Sequence, residues 1–432
     1  MARRLDAKAD DFETQFADLL AERRDTTADV ADSVSEILSR IRTEGDRALH
    51  DLTHRFDRFD TGQSGLALSS ADIAAAEGTL DSKVREALAQ AADRIRAFHT
   101  RQQPDTLDYV DDTGTRLGQR WRPVDAAGLY VPGGRASYPS SVLMNAIPAS
   151  VAGVERVVMT VPTPDGVINP AVVTAARLAG VTEIYRVGGA QAVGALAFGT
   201  ETIRPVDMIV GPGNAYVAEA KRQVFGTVGI DTIAGPSEIL VVADGANDPA
   251  WIAADLLSQA EHDPVAQSIL ITDDPAFATA VEAAVETHLS TLSSEAVARA
   301  SWDDFGYSIV LPDLRDAADL INRLAPEHLE LAVAQPDDLF ADIRNAGAVF
   351  LGRHTPEAIG DYVAGPNHVL PTGRAARFSG GLSVYDFMKR TSFVACTSDS
   401  LQAIGPAAIT LARAEGLPAH ALSVALRLED RE

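Results

Sequence analysis

Hydrophobic residues along the middle of the chain alternate between two periods, and this alternation predicts the architecture. From residue 156 onward, short apolar runs with strand character are followed by segments whose apolar positions recur at helical spacing. We predict strands at 156–161, 183–187 and 207–210, and helices at 170–179, 191–198 and 215–225. Strand and helix in strict turn indicate a parallel sheet with right-handed crossovers.

A second alternation follows the first. It predicts strands at 238–243, 267–272 and 308–311, and helices at 249–262, 275–292 and 315–324. The expected fold class is therefore α/β, with two doubly wound, incomplete Rossmann-like parallel-sheet domains and small helical units at both termini. Ligands of such sheets collect at the carboxyl ends of the strands, which we expect in the loops 187–191, 211–214 and 235–238.

Helical periodicity marks both ends of the chain. Near the start it is carried by two sets of apolar residues, Phe12, Phe16, Leu19 and Leu20, and then Val30, Val34, Ile37, Leu38 and Ile41. The last fifty residues also return to helical spacing. We predict a helical arm at 1–25, a Rossmann-like domain from 26–128 and 238–381, a second one at 129–237, and a small helical unit at 382–432.

Composition narrows the class of function. The 432 residues are 46% hydrophobic and 23% charged, as in packed globular proteins. With 37 Lys and Arg against 61 Asp and Glu, the net charge of −24 speaks against nucleic-acid binding. One cysteine, Cys396, excludes an intrachain disulfide and a thiolate cluster, so a bound metal would need N and O ligands. Because neither a signal segment nor a membrane-spanning run is evident, we expect a cytoplasmic protein.

The helix predicted at 249–262 carries an amide where an apolar residue is expected. Its buried stripe runs from Ile252 through Leu256 to Gln259, and His262 follows three residues later. That spacing puts Gln259 and His262 on neighbouring points of one face, about 5 to 6 Å apart at Cβ, where they could share one ion. A hydrogen-bonded Gln beside a His that interacts with the helix dipole is the alternative.

Further polar pairs lie towards the carboxyl end. Glu327 and His328 follow Pro326, and we expect them at a helix start, where they suit general base catalysis or, alternatively, helix capping. Asp361 and His368 lie in a predicted polar loop and could bind a metal or cap backbone groups. Glu415 and His420 flank a helix break, which could be simply an exposed break. Gln259, His262, Asp361 and His420 together would make a mixed N/O site of the kind that zinc accepts.

Three glycine-containing turns precede helices, at 131–134, 188–191 and 211–214. Glycine lets backbone amides approach a phosphate, so a dinucleotide is a natural ligand. The Gly-x-Gly-x-x-Gly fingerprint is absent, and ordinary tight turns are the alternative interpretation.

These segments together resemble the histidinol dehydrogenases, which end histidine biosynthesis. The resemblance covers about three hundred residues in unbroken order. Its matching segments are 128–134, 138–148, 188–191, 211–214, 235–238, 258–263, 326–328, 360–361, 367–371 and 415–417 with His420. It implies oxidation of L-histidinol to L-histidine in two steps that use two NAD, with an enzyme-held aldehyde between them.

The resemblance also assigns the site residues. Zinc, one per subunit, would be bound by Gln259, His262, Asp361 and His420, and would orient the substrate rather than carry electrons. His328 would be the base for the hydroxyl proton, and Glu327 would activate water. Substrate contacts are expected at the four zinc ligands and at Ser237, His328 and Glu415. NAD would be lined by Tyr130, Gln191 and Asn214, within 129–237.

The family is homodimeric, and its C-terminal unit crosses to the partner subunit, so Glu415 and His420 would act in trans. Many relatives carry a cysteine at the position of Thr160, on which no role in the reaction depends. Three alternatives are a paralogue that oxidises another small alcohol such as a sulfonated diol, a zinc hydrolase with Glu327 as base, and a non-catalytic interaction protein.

Overall fold

The computed structural model describes residues 2–22, 30–133, 138–233 and 235–429. The strands, in chain order, are β1 Arg3–Asp6, β2 Leu107–Val110, β3 Arg116–Pro123, β4 Ala126–Tyr130, β5 Arg156–Thr160, β6 Glu183–Tyr185, β7 Met208–Val210, β8 Gly229–Ile230, β9 Glu238–Ala243, β10 Gln267–Thr272, β11 Gly306–Val310, β12 His328–Ala332, β13 Ala348–Leu351 and β14 Met388–Ala395.

The helices are α1 Phe12–Ala21, α2 Ala31–Glu44, α3 Asp46–Asp57, α4 Thr61–Ser64, α5 Ser70–Glu77, α6 Ser82–Thr100, α7 Pro139–Ala152, α8 Pro170–Ala179, α9 Gly189–Phe198, α10 Ala215–Val224, α11 Pro249–Ala260, α12 Pro275–Leu289, α13 Glu295–Phe305, α14 Ala317–Leu324, α15 Pro336–Phe340, α16 Glu357–Tyr362, α17 Ser398–Ala414 and α18 Pro418–Leu428. Within the described ranges, none of them is both long and apolar enough to cross a membrane.

Six strands form a parallel sheet in the order β1-β11-β10-β9-β12-β13. Every residue of β9 and β10 is buried, as expected for parallel strands covered on both faces. Helices α11, α12 and α13 cover one face, and α1, α14 and α15 cover the other. This sheet supplies the rigid frame for the polar residues described below.

A second parallel sheet has five strands in the order β6-β5-β4-β7-β8. Helices α6, α7 and α8 pack on one face, and α2, α9 and α10 pack on the other. The predicted α/β class with two parallel sheets is confirmed. The division of the chain into domains stays a prediction.

The C-terminal part projects from this framework. Strand β14 pairs antiparallel with β3, which also pairs with β2. Helices α17 and α18 pack on each other, and few of their side chains are buried. Their exposed apolar residues are Ile404, Leu411, Leu417, Leu422 and Leu426. The two helices were predicted, whereas β14 was not.

Most predicted elements agree with the observed ones, and helix 170–179 and strands 238–243 and 267–272 agree to the residue. Three expectations were wrong. Residues 3–6 form β1 at the edge of the six-stranded sheet, although the N-terminus was expected to be helical. Glu327 and His328 do not start a helix, since α14 ends at Leu324, Ala325 is left-handed, and His328 begins the buried strand β12. Asp361 lies in the short helix α16 rather than in a loop.

Candidate active site

A cleft of about 460 Å³ lies where the two parallel sheets meet. It brings together residues that are distant in sequence, because loops of the five-stranded sheet form one wall and elements of the six-stranded sheet form the other. The predicted site residues that line it are Asn214, Ser237, Gln259, His262, Glu327, His328 and Asp361.

The two sheets present opposite ends to this cleft. Residues 211–214 follow β7, at the carboxyl end of the five-stranded sheet, as expected. The segment 235–237, however, leads into the amino end of β9, and His328 stands at the amino end of β12. Expecting every ligand loop at carboxyl ends was therefore wrong for the six-stranded sheet. The chain enters β9 directly from the other sheet, so the junction between the sheets lies at the start of that strand.

His328 is held in one tautomer by the main chain. Its Nδ1 donates to the carbonyl of Glu238 at 3.0 Å, so the proton is on Nδ1. Nε2 is buried without a hydrogen-bond partner and lies 3.8 Å from Asp361 Oδ1. Burial, assisted by the charges of His368 and His262, lowers the pKa of His328 to about 4. The imidazole is therefore neutral at pH 7, and its free lone pair can accept a proton in the cleft.

Glu327 lies beside this imidazole and is also buried. Its Oε2 accepts the backbone N–H of Glu238 at 2.9 Å and lies 3.7 Å from His328 Nδ1. Burial raises the pKa of Glu327 well above its usual value, and the charges of Glu238, Asp361 and Glu357 raise it further. Because the same backbone residue holds both side chains, Glu327 and His328 form one rigid acid–base pair.

Gln259 and His262 contact each other directly. Gln259 is 1% exposed, and its Nε2 lies 2.9 Å from His262 Nδ1. This contact leaves Gln259 Oε1 buried without a partner. His262 itself is exposed in the turn after α11, and An orphan amide oxygen beside an imidazole at the cleft is a donor pair that a borderline metal such as zinc accepts.

Asp361 connects this donor pair to His328. Its neighbour on α16 is Glu357, which sequence reasoning missed, and the two carboxyls are hydrogen bonded. Burial raises the pKa of Asp361 to about 6 and, with the charge of Asp361, that of Glu357 to about 8. Glu357 therefore donates the shared proton. One ligand atom each from His328, Glu357 and Asp361 lie within 4.8 Å of one another, so this trio could also hold a metal.

His368, noted from the sequence only as a possible capping or binding residue, lies in the same cleft. Its Nδ1 lies 3.0 Å from the carbonyl of Asp361, which accepts the hydrogen bond. Burial lowers the pKa of His368 to about 4, and the charge of His262 lowers it further. Neutral His368 therefore adds a second imidazole to the wall of the cleft.

Behind the cleft, a second carboxyl pair joins three elements. Asp255 on α11 and Glu330 on β12 are hydrogen bonded to each other, and Glu330 Oε1 accepts the backbone N–H of Glu357 at the start of α16. Burial, and then the charge of Asp255, raises the pKa of Glu330 well above its usual value, whereas the pKa of Asp255 is raised to about 6 by burial. Glu330 thus keeps the shared proton. Spacing along the chain gave no sign of this pair.

The predicted NAD residues lie in adjoining loops. Asn214 lines the cleft and caps α10, since its Oδ1 accepts the N–H groups of Tyr216 and Val217. Tyr130 and Gln191 are buried beside it, and the hydroxyl of Tyr130 accepts the N–H of Gly189 at 3.1 Å. Gly134 of the first glycine turn lies outside the described residues.

Two predicted residues are not brought into the cleft of a single chain. Glu415 and His420 are exposed on either side of the break between α17 and α18, and neither lines the cleft. A larger cleft of about 700 Å³ lies on the other side of the 235–238 segment. Its described lining contains none of the predicted site residues. We therefore place the candidate chemistry in the smaller cleft.

The chain is similar to proteins of a single family. The family model described as histidinol dehydrogenase matches residues 20–428. The chain is 65% identical over 429 residues to the histidinol dehydrogenase of Rhodospirillum rubrum, which covers 99% of both chains. It is 63% identical over 418 residues to that of Mesorhizobium japonicum, with 97% of both covered. The crystal structure of histidinol dehydrogenase from Elizabethkingia anophelis matches with a TM-score of 0.94 and 36% identity, over 99% of this chain and 98% of that one.

Proposed function

The chain belongs to the histidinol dehydrogenase family, and from this premise we propose that it oxidises L-histidinol to L-histidine with two NAD, as the last step of histidine biosynthesis in the cytoplasm. The observation that carries the proposal is the free Nε2 of His328. A buried, neutral imidazole whose other nitrogen is fixed to a backbone carbonyl is a base with one defined direction of attack.

In the first oxidation, His328 takes the hydroxyl proton of the substrate at Nε2. NAD, when bound, supplies the hydride acceptor for both oxidations. In the second, Glu327 takes a proton from the water that adds to the aldehyde. Its raised pKa makes it a stronger base once ionised, and a cation beside Asp361 would lower that pKa towards the working pH.

The donors at the cleft fit zinc. Gln259 Oε1 is buried without a partner, His262 lies against the same amide, and Asp361 completes three N/O donors from one chain. Zinc bound there would orient the substrate for both oxidations and withdraw charge from its polar groups. His328 and Glu357 stand on the other side of Asp361 and so remain near the reacting carbon.

The fourth zinc ligand and one substrate contact would come from a second copy. Glu415 and His420 are exposed, and the helices that carry them present apolar side chains to solvent. We propose a homodimer in which His420 of the partner subunit binds the zinc and Glu415 of the partner subunit contacts the substrate, alongside Ser237. Closing the apolar surface of α17 and α18 against a partner would favour such a dimer.

The glycine loops fit a dinucleotide. A Cβ at Gly133 or at Gly188 would clash with Pro162, so these two loops approach each other more closely than side chains would allow. Tyr130, Gln191 and Asn214 would line the bound NAD, and Asn214 also fixes the start of α10.

The test is a stoichiometric assay on the purified, zinc-loaded protein. L-Histidinol with excess NAD should give two NADH and one L-histidine per substrate. A yield of one would indicate a simple alcohol dehydrogenase, such as the enzyme for a sulfonated diol, and turnover without NAD would indicate a hydrolase. His328→Asn should lower kcat by about 10² to 10⁴, whereas His354→Asn, at an exposed histidine that stacks on Trp251, should leave it unchanged.

A further inference from the structure

A buried ion pair holds both polar backbone groups of Gly211. Lys221 Nζ donates to the Gly211 carbonyl at 3.0 Å, and the Gly211 N–H donates to Asp231 Oδ2 at 2.8 Å. Lys221 and Asp231 are also paired with each other, and each side chain is 3% exposed. The two charges and one peptide residue thus form a closed ring of polar contacts.

The glycine at the centre of this ring is in an unusual conformation. Its φ of +115° is disfavoured for residues with a side chain, and a Cβ there would overlap the carbonyl of Tyr130. Tyr130 in turn accepts the N–H of Gly189 through its hydroxyl. The ring therefore fixes the loop 211–214 against the two neighbouring loops of the same sheet edge.

We propose that Lys221 and Asp231 are positioning residues for the cofactor, which set the orientation of the loop 211–214 and so the affinity for NAD. This inference rests on the NAD use proposed above. With its carbonyl and its N–H both bonded to buried charges, Gly211 cannot rotate its peptide groups without leaving a charge unpaired. Asn214 is then presented to the cleft in one place before the cofactor arrives, and binding costs less ordering.

The charge balance makes Lys221 important for a second reason. Asp386 lies close enough to Asp231 for that carboxylate to help raise the pKa of Asp386, after burial as the main cause. This side of the cleft is thus already acidic. Without Lys221, Asp231 would present an unbalanced negative charge to the diphosphate of NAD.

A merely structural ion pair would behave differently from a positioning one in a double replacement. Lys221→Met leaves Asp231 buried without a partner and should lower the thermal midpoint. Adding Asp231→Leu removes both charges and should restore most of that midpoint, because a buried pair can be replaced by apolar groups of similar size. The bonds to Gly211 stay absent in the double variant, so loop orientation and folding stability become separable.

The experiment measures the dissociation constant for NAD by calorimetry on the full-length, zinc-loaded protein, with thermal midpoints and steady-state kinetics beside it. Lys221→Met and the double variant should both weaken NAD binding by about tenfold to a hundredfold. Their kcat at saturating NAD and their KM for L-histidinol should change by less than about threefold, since no group that touches the substrate is altered. Arg222→Met, at the next position of α10, removes an exposed guanidinium paired with Glu219 and should leave NAD binding unchanged.

A double variant that binds NAD as tightly as the wild type would overturn the inference, provided that the wild type oxidises L-histidinol with NAD. A wild type that neither binds NAD nor forms NADH would overturn the proposed function and this inference with it. Recovery of stability together with NAD affinity would likewise reduce the pair to a structural role and refute positioning.

Discussion

Replacing Glu330 with glutamine should stabilise the chain increasingly as the pH rises. Glu330 is 3% exposed and makes two hydrogen bonds, one with the Asp255 carboxyl and one from the Glu357 N–H to its Oε1. To make both, it must keep its proton and donate it to Asp255. Glutamine reproduces this arrangement, because its Nε2 can donate to Asp255 while its Oε1 accepts from Glu357.

The magnitude follows from proton linkage. Burial and Asp255 raise the pKa of Glu330 well above the usual 4.5, so its stabilising contribution is complete below pH 4.5 and is lost as the pH rises towards the folded-state pKa. Within that window the wild type loses about 1.4 kcal/mol of unfolding free energy per pH unit from this group. Glutamine cannot ionise, and Asp255 titrates in both proteins. The difference between the two should therefore grow by about 1.4 kcal/mol per pH unit.

Thermal unfolding of the zinc-free protein from about pH 5 to about pH 8 measures this difference. With an unfolding entropy of about 2 cal/mol/K per residue, a chain of 432 residues shifts its midpoint by roughly 1 °C per kcal/mol. Glu295→Gln, at an exposed position of α13, is the control and should follow the wild type at every pH. A pH-independent difference, or a loss of stability at all pH values, would refute a proton shared between Asp255 and Glu330.

Four further predictions concern the cleft. Gln259→Ala should weaken zinc binding by about tenfold to a hundredfold in a chelator competition, and an unchanged affinity would remove it from the ligand set. Glu327→Gln should slow L-histidinal oxidation more than L-histidinol oxidation in separate assays, while equal losses would contradict its role with water. Gly226→Ala should cost about 1 to 3 kcal/mol in denaturant unfolding for its φ of +95°, and Gly211→Ala clearly more, because only the latter also overlaps a neighbouring carbonyl. Mixing inactive His420→Ala and Glu327→Gln proteins should restore about a quarter of wild-type activity if each site spans two subunits, and no recovery would argue for self-contained sites.

The parts of the fold that the sequence predicted are those in which one pattern dominates locally. Strands Glu238–Ala243 and Gln267–Thr272 are continuous runs of buried, mostly β-branched residues, which is typical of parallel sheets covered on both faces. Strand β12 lacks such a run, because His328 and Glu330 interrupt it with buried polar groups. Those groups made the segment resemble a helix start after a proline. The functional demand on β12 is what hid it.

The site was predictable from local spacing only in part. Gln259 and His262 are three residues apart, and their contact could be expected from helix geometry. Ser258 and Glu357 are ninety-nine residues apart, and only the packing of α16 against α11 brings their side chains within hydrogen-bond distance. Lys221 lies in an amphipathic helix, where a lysine normally faces solvent, and its burial depends on an acidic partner from the segment after β8.

The buried carboxyls divide into two groups with different requirements. Glu357 and Asp361 face the cleft, and a divalent cation there would offset their charge, so the state of this pair depends on the metal. Asp255 and Glu330 lie one layer further in and are satisfied by a shared proton instead. Since Asp255 stands on the helix of Gln259, and Glu330 on the strand of the proposed base, this inner pair connects the elements of the site without a cation. The donor geometry is thus set before zinc binds, which lowers the cost of ordering the ligands when it does.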